Sequence, residues 1–222
     1  MPSVPPPFGI TASPDVMSLD VGAVLWRVHR QDLAATEFNT VLSDDVFGGG
    51  RFDGTLADPY PFLYLATDRE TALLETLARS IPFNHHGTRL VLRRTIARLR
   101  ISAVRVIKPL TLISLMTAED LASAYQDEWL VQADPAEYPQ TRRWGNWLRS
   151  QEPSAQGIAW PSRRNIGHQA VVLFGDRCPN VIEVIEGSST DLDTAAGAVW
   201  FNKQLARHRI RVRPPSPPRG AA

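Results

Sequence analysis

The residue types that could do chemistry gather in one run, Phe47 to Glu75, FGGGRFDGTLADPYPFLYLATDRETALLE. Gly48, Gly49 and Gly50 open positive φ to the backbone and remove side chains, so another group can approach the chain closely. Arg51 follows them directly. At the other end of the run, Thr67-Asp68-Arg69-Glu70 has the S/T-x-x-E form of a capping box, which predicts a helix starting at about Asp68. At about 100° per residue, Leu73, Leu74 and Leu77 share a core-facing stripe and Glu75 lies at its edge among Thr71, Ala72 and Ala78. All three neighbours are small, so a ligand can reach the carboxylate, an arrangement that suits a pocket. Taken singly, Glu75 reads as a solvated helix glutamate and Arg51 as a loop arginine; the case for a site rests on their coincidence.

Two further positions stand out. In the strand-like run VGAVLWRV, Arg27 sits between Trp26 and Val28, either on a solvated face or projecting into a polar pocket, because an unpaired buried guanidinium is costly. In Gly157–Asn165, GIAWPSRRN, Pro161 fixes its own φ and pushes Trp160 into an extended conformation, so Ser162 leaves a strand end at a defined angle and can bind a ligand. No G-x-S-x-G elbow makes it a nucleophile, and neither a Walker motif nor G-x-G-x-x-G occurs. His85-His86 reads as part of a turn rather than as a metal site.

The elements that must position these residues follow from pattern. FLYLA at 62–66 and QAVVLF at 169–174 read as buried strands, VIEVI at 181–185 as an alternating one, and TRLVLRRTI at 88–96 and ISAVRVI at 101–107 as two strands with a solvated face. Helices are predicted from Thr117 toward Glu128, over 138–150 with Trp144, Trp147 and Leu148 as a core-facing stripe, and over 194–206, where Gly197 weakens the pattern. Residues 1–18 read as a disordered proline-rich arm, 19–211 as one domain and 212–222 as a basic, proline-rich tail. The 222 residues suit one substantial domain, and 24 basic against 23 acidic residues argue against a general nucleic-acid or membrane-surface binder. Cys178 is the single cysteine, which excludes an internal disulfide and a thiolate zinc site and fits a reducing cytoplasm. No apolar run reaches a membrane span and the N-terminus lacks a secretory h-region, so a cytoplasmic location is expected.

In order along the chain, LWRVHR with Arg27, GGGRFDG with Arg51, FLYLATDRETALLETL with Tyr64 and Glu75, and GIAWPSRR with Ser162 ahead of QAVVLF resemble the RES domain, the toxin of RES-Xre toxin–antitoxin pairs. The resemblance spans about 24–174 and is carried by the ordered set rather than by any one motif. It implies an α+β fold similar to ADP-ribosyltransferases, with a split, twisted sheet around an NAD-binding cleft. It also implies consumption of NAD+ as a substrate, with no cofactor and no metal, through hydrolysis or phosphorolysis of the nicotinamide–ribose bond. Toxicity through NAD+ depletion and neutralisation by an Xre-type antitoxin are the further implications.

The residues suit that reaction. Cleavage builds positive charge on C1′ while nicotinamide departs neutral, so little acid catalysis is needed and a carboxylate gains leverage, the role assigned to Glu75. A planar guanidinium binds pyrophosphate oxygens bidentately, which suits Arg27 and Arg51. Tyr64 is expected to stack on or shape the nicotinamide slot, Ser162 to orient Glu75, and His29 to join the substrate-binding set. Water, inorganic phosphate and a protein side chain all remain open as acceptor. A protein ADP-ribosyltransferase and a non-catalytic binding module are the alternatives.

Overall fold

The computed structural model describes residues 4–44, 48–79 and 81–212; Phe47, Ser80 and the tail arginines Arg213 and Arg219 lie outside them. Eleven strands and six α-helices are formed among the described residues. The strands are β1 (Val16–Leu19), β2 (Val24–Arg30), β3 (Phe62–Ala66), β4 (Arg89–Val91), β5 (Leu99–Val106), β6 (Leu110–Ser114), β7 (Gly157–Pro161), β8 (Gln169–Phe174), β9 (Ile182–Val184), β10 (Thr190–Asp191) and β11 (Ile210–Val212). The helices are α1 (Arg69–Leu77), α2 (Arg93–Ile96), α3 (Ala118–Ser123), α4 (Trp129–Gln132), α5 (Tyr138–Gln151) and α6 (Ala195–Gln204).

Nine strands form one mixed sheet in the order β1-β6-β7-β8-β3-β2-β5-β10, with β9 also on β5, while β4 and β11 pair in parallel as a second, two-stranded sheet. This is the expected mixed α/β domain. Within the large sheet β6 and β7 run parallel, and their connection carries α3, α4 and α5. A parallel pair needs such a long crossover, which is why a helical layer falls between two neighbouring strands.

Strand alternation distributes the core. In β8, Ala170, Val172 and Phe174 join Phe52, Tyr60, Trp144 and Leu148 on the α5 side, while Val171 and Leu173 join Leu25, Leu63 and Val104 on the other face. A strand covered on both faces reads as an uninterrupted apolar run, as QAVVLF does. The third cluster packs α1 and α6 against the sheet through Leu73, Leu74, Leu77 and Phe201.

Several expectations change. Asp68, not Thr67, caps α1: its side chain accepts from Thr71 N–H, because Thr67 N–H is still engaged with the Gln169 carbonyl and extends the sheet. The strand expected over 88–96 stops after Val91 and turns into the short α2, and α3 ends at Ser123 because Tyr125 takes a left-handed φ of 53°. The arm is in contact with the domain over its described part: Trp144 Nε1 donates to the Val4 carbonyl (3.0 Å), and residues 16–19 are β1, paired with β6. No helix among the described residues is long and apolar enough to cross a membrane.

Candidate active site

The sheet is split where the site forms. β2 pairs with β5 along all seven of its residues and β3 with β8 along all five, yet β2 and β3 share a single pair, Trp26↔Ala66. Beyond that pair they separate, and a cavity of about 410 Å³ occupies the gap. That volume falls within the range of roughly 300–1,000 Å³ common for small-molecule sites. One wall is Trp26, Arg27 and Val28, the other Phe62 and Tyr64 to Ala66, with Trp160 and Ala170 beyond.

α1 lies over this gap. Ala72, Glu75, Thr76 and Arg79 recur at i, i+3, i+4 and i+7, so they share one helical face, and all four line the cavity. Leu73, Leu74 and Leu77 occupy the core-facing side, as the sequence pattern requires. Glu75 Oε1 accepts the Ser162 hydroxyl proton at 2.7 Å and the Arg164 N–H at 3.3 Å. Oε2 has Arg79 Nε at 3.9 Å and no hydrogen bond among the described residues, which leaves it for a ligand. Arg79 Nε also donates to the Glu75 backbone carbonyl.

Ser162 is 3% exposed and held from several sides. It directly follows Pro161, the last residue of β7, and its Oγ accepts the N–H groups of Asn165 (2.9 Å) and Arg164 (3.2 Å). Asn165 Nδ2 then donates to Thr71 Oγ1 (2.8 Å), and the His168 ring meets the Asp68 carboxylate (2.8 Å). The turn 162–168 is thus tied to the start of α1, the element that carries Glu75. The hydroxyl and the carboxylate, far apart in sequence, are positioned by one network.

The glycine turn is fixed by α5 and by a buried acid. Arg142 Nη1 donates to the carbonyls of Gly48 (3.2 Å) and Gly50 (3.3 Å), and Thr141 Oγ1 donates to the Arg51 carbonyl (2.8 Å). Gly48 (φ 96°) and Gly49 (φ 72°) use the left-handed region. Gly50 has no room for a side chain, since a Cβ there would lie 2.6 Å from both the Tyr64 hydroxyl and Asp53 Oδ1. The Asp53 carboxylate accepts from Gly50 N–H (2.6 Å), Ser43 Oγ (2.9 Å) and the Tyr64 hydroxyl (2.8 Å).

Of the expected site residues, Glu75, Ser162, Arg27 and Tyr64 converge at the split. Arg27 Nη1 donates to the carbonyls of Ala34, Ala35 and Glu37, and burial lowers the guanidinium pKa to about 10, so it remains charged at neutral pH. Tyr64 presents its ring but not its hydroxyl, which accepts from Phe52 N–H (2.8 Å) while donating to Asp53; burial and then the Asp53 charge push its pKa well above the usual value.

Two expected residues stand back from the cavity lining. Arg51 is 7% exposed, donates to the carbonyls of Leu130 (2.8 Å) and Ala133 (3.2 Å), and stacks on Tyr138; burial lowers its pKa. Its position corrects the expected direct clamp, because a guanidinium bonded to those carbonyls joins the glycine turn to α4. His29 Nδ1 donates to the Arg30 carbonyl (2.8 Å) and its Nε2 meets Ser102 Oγ (2.9 Å). Those bonds engage both ring nitrogens outside the cavity lining, and burial lowers its pKa.

Sequence reasoning missed Arg79 and Asp53. The helical recurrence from Ala72 marks Arg79, while Asp53 carried only the weak signal of an acid three residues after a glycine.

No curated protein sequence matches this chain. The solved M. tuberculosis MbcT–MbcA toxin–antitoxin complex contains a chain that superposes with a TM-score of 0.55 at 16% identity, covering 79% of this chain and 86% of that one. The likeness is one of fold. A family model described as the RES domain matches residues 24–195, from the first residue of β2 to the first of α6 and so across every element that lines the cavity. The chain belongs to the RES domain family.

Proposed function

We propose that this chain is an NAD+-degrading enzyme that cleaves the nicotinamide–ribose bond, by phosphorolysis or hydrolysis, and acts as the toxin of a toxin–antitoxin pair. The observation that carries the reading is the Glu75 carboxylate, held on Oε1 by Ser162 and left open on Oε2 within a cavity at the split of the sheet. As the bond to nicotinamide lengthens, positive charge grows on C1′, and an anion already fixed in place stabilises it without reorganising. Nicotinamide leaves with the bonding pair and is neutral, so no proton donor is required. Attack by water on C1′ gives ADP-ribose and a released proton; attack by inorganic phosphate gives ADP-ribose 1″-phosphate.

Arg27, in the wall of the gap, suits the pyrophosphate through Nε and Nη2, because only Nη1 is engaged among the described residues. Arg79 lies one turn from Glu75 and supplies a second cation near the anionic part of a dinucleotide. Arg51 shapes the glycine turn from behind. An antitoxin of the Xre type, covering the cleft, is the partner this reading calls for, in a cytoplasmic setting; the fold neighbour comes from a toxin–antitoxin complex.

The test is nicotinamide release from NAD+ by the purified chain, with and without inorganic phosphate, beside Glu75→Gln. Release that the substitution abolishes supports the reading, and stimulation by phosphate identifies the acceptor. Equal turnover in the variant removes Glu75 from the chemistry. Intact NAD+ in both buffers, with label from biotinylated NAD+ appearing on lysate proteins, turns the assignment to protein ADP-ribosylation.

A further inference from the structure

Of the five histidines only His29 is buried, and a pair of serines joins it to the surface. In the register of β2 against β5, Arg27 faces Ser102 and His29 faces Arg100, so His29 and Ser102 are diagonal neighbours on one face of the sheet. Along its other edge β5 is paired by β10 over 100–101 and by β9 over 104–106, and the arch 185–189 crosses the interval between them. Ser188 pins that arch: its Oγ accepts the Ala103 N–H (3.1 Å) and donates to the Ile185 carbonyl (2.6 Å). Ser189 is thereby set beside Ser102, Oγ to Oγ 2.7 Å, and it is exposed whereas Ser102 is 1% exposed.

One carbonyl fixes the direction of every hydrogen in this chain of groups. The Arg30 carbonyl can only accept, so His29 Nδ1 carries the hydrogen (2.8 Å), and a neutral ring then leaves Nε2 as an acceptor. Ser102 has a single hydroxyl hydrogen, which it gives to Nε2 (2.9 Å); the hydrogen between the two serines is therefore that of Ser189. Burial, with the charges of Arg27 and Arg100, lowers the imidazole pKa against the opposing bond to the Arg30 carbonyl, which keeps the ring neutral. Of the other charges beside it, Arg30 is paired with Asp32 and Arg100 with Asp191. The result is an exposed hydroxyl whose hydrogen points inward to a base oriented by a third group, while its lone pairs face solvent, the arrangement of an activated nucleophile. None of the three residues lines the cavity at the split of the sheet.

We propose that Ser189 is an acylation site, a nucleophile served by the Ser102–His29 relay and open to esters with a good leaving group. Ser189 Oγ bonds to the ester carbonyl carbon as its hydrogen passes to Ser102 Oγ and the Ser102 hydrogen passes to His29 Nε2. The bond from the carbonyl carbon to the leaving oxygen then breaks, and the leaving group departs with the bonding pair as an anion. His29 afterwards releases the proton to water, so an ester and a serine become an acyl-serine, a leaving anion and a proton. This site is independent of the reaction proposed for the cavity.

The experiment treats the full-length chain with p-nitrophenyl acetate, follows release of p-nitrophenolate and locates the acetyl group by peptide mass spectrometry. General-base assistance is worth about 10²–10⁴-fold, so Ser189 is expected to be acetylated at least about a hundredfold faster than the exposed Ser13. Its rate should rise with pH only through the ionisation of His29, below 6.5, and then level. An unassisted hydroxyl would instead keep rising with hydroxide. Ser102→Ala interrupts the relay and His29→Gln removes the base; each should bring labelling of Ser189 down to that of Ser13, and Ser189→Ala should remove the fast phase of phenolate release. Labelling of Ser189 no faster than that of Ser13, or unchanged in folded Ser102→Ala, overturns the proposal. Should both buried substitutions unfold the chain, the pH profile of the unsubstituted chain decides, and a rate that climbs steadily from about pH 5 to 8 refutes the relay.

Discussion

Removing the Ser162 hydroxyl isolates the part of the site that is positioning. In Ser162→Ala, Glu75 Oε1 loses its 2.7 Å donor and keeps only the Arg164 N–H at 3.3 Å, while the N–H groups of Asn165 and Arg164 lose their shared acceptor. Arg164 and Asn165 are both partly exposed residues of a turn, so water can replace the acceptor and the fold is expected to survive. A hydrogen bond to a charged group is worth about 1.5–3 kcal/mol. If that energy fixes the carboxylate against C1′, its loss appears in the transition state, and at about 1.36 kcal/mol per decade kcat falls about 10- to 150-fold. KM should change little, because the anionic parts of the dinucleotide are bound elsewhere. The assay is steady-state nicotinamide release over a range of NAD+ concentrations, with a melting curve on the same preparation. The expected thermal loss is about 2–4 °C, for roughly 1 kcal/mol in a domain of this size. A folded variant with kcat within twofold of the unsubstituted chain would refute the positioning argument, and so would a loss confined to KM.

Two more outcomes follow from particular contacts. Gly197→Ala should destabilise the chain although alanine favours helices by about 1 kcal/mol, because a Cβ at Gly197 would lie 1.8 Å from the Asp191 carbonyl oxygen; a raised melting temperature would show that this contact yields freely. His29 has a pKa lowered from 6.5, first by burial, so the folded chain favours the neutral ring. Its contribution is fully present above about 6.5 and is lost as pH falls through the folded value, since the unfolded state takes up the proton first. Denaturant midpoints measured from pH 7.5 to 5 should therefore fall more steeply for the unsubstituted chain than for His29→Gln, and parallel slopes would contradict the assignment.

What the sequence disclosed depended on how local the determining contact is. Glu75 was legible because helical periodicity places it without reference to anything distant. Ser162 was legible as an oriented hydroxyl because proline restricts the chain beside it. Arg51 and His29 were misplaced for a shared reason: a polar side chain beside a site-like motif can be used up by distant partners, here the Leu130 and Ala133 carbonyls for Arg51 and Ser102 Oγ for His29, and spacing carries no record of them. Thr67 was taken for the cap because the capping pattern ignores that the strand before it is still bonded to Gln169. β1 and β6 went unassigned, since β1 lies at the end of the proline-rich stretch that reads as an arm and β6 directly follows Pro109. Gly197 looked like a flaw in a helix and is a packing requirement set by another segment.

The bond between Ser162 and Glu75 joins residues 87 positions apart, and the α5 contacts that shape the glycine turn span 90 to 94. Time therefore enters the design. A ribosome extends the chain at about 5–20 residues per second, so roughly 4–17 s separate the synthesis of the carboxylate from that of the hydroxyl that aims it. β8, which completes the cavity wall, is made later still. A nascent or truncated chain ending before Phe174 carries the glycine turn and α1 but no assembled cleft. On the function proposed above, an antitoxin has that interval in which to meet the chain before its site exists.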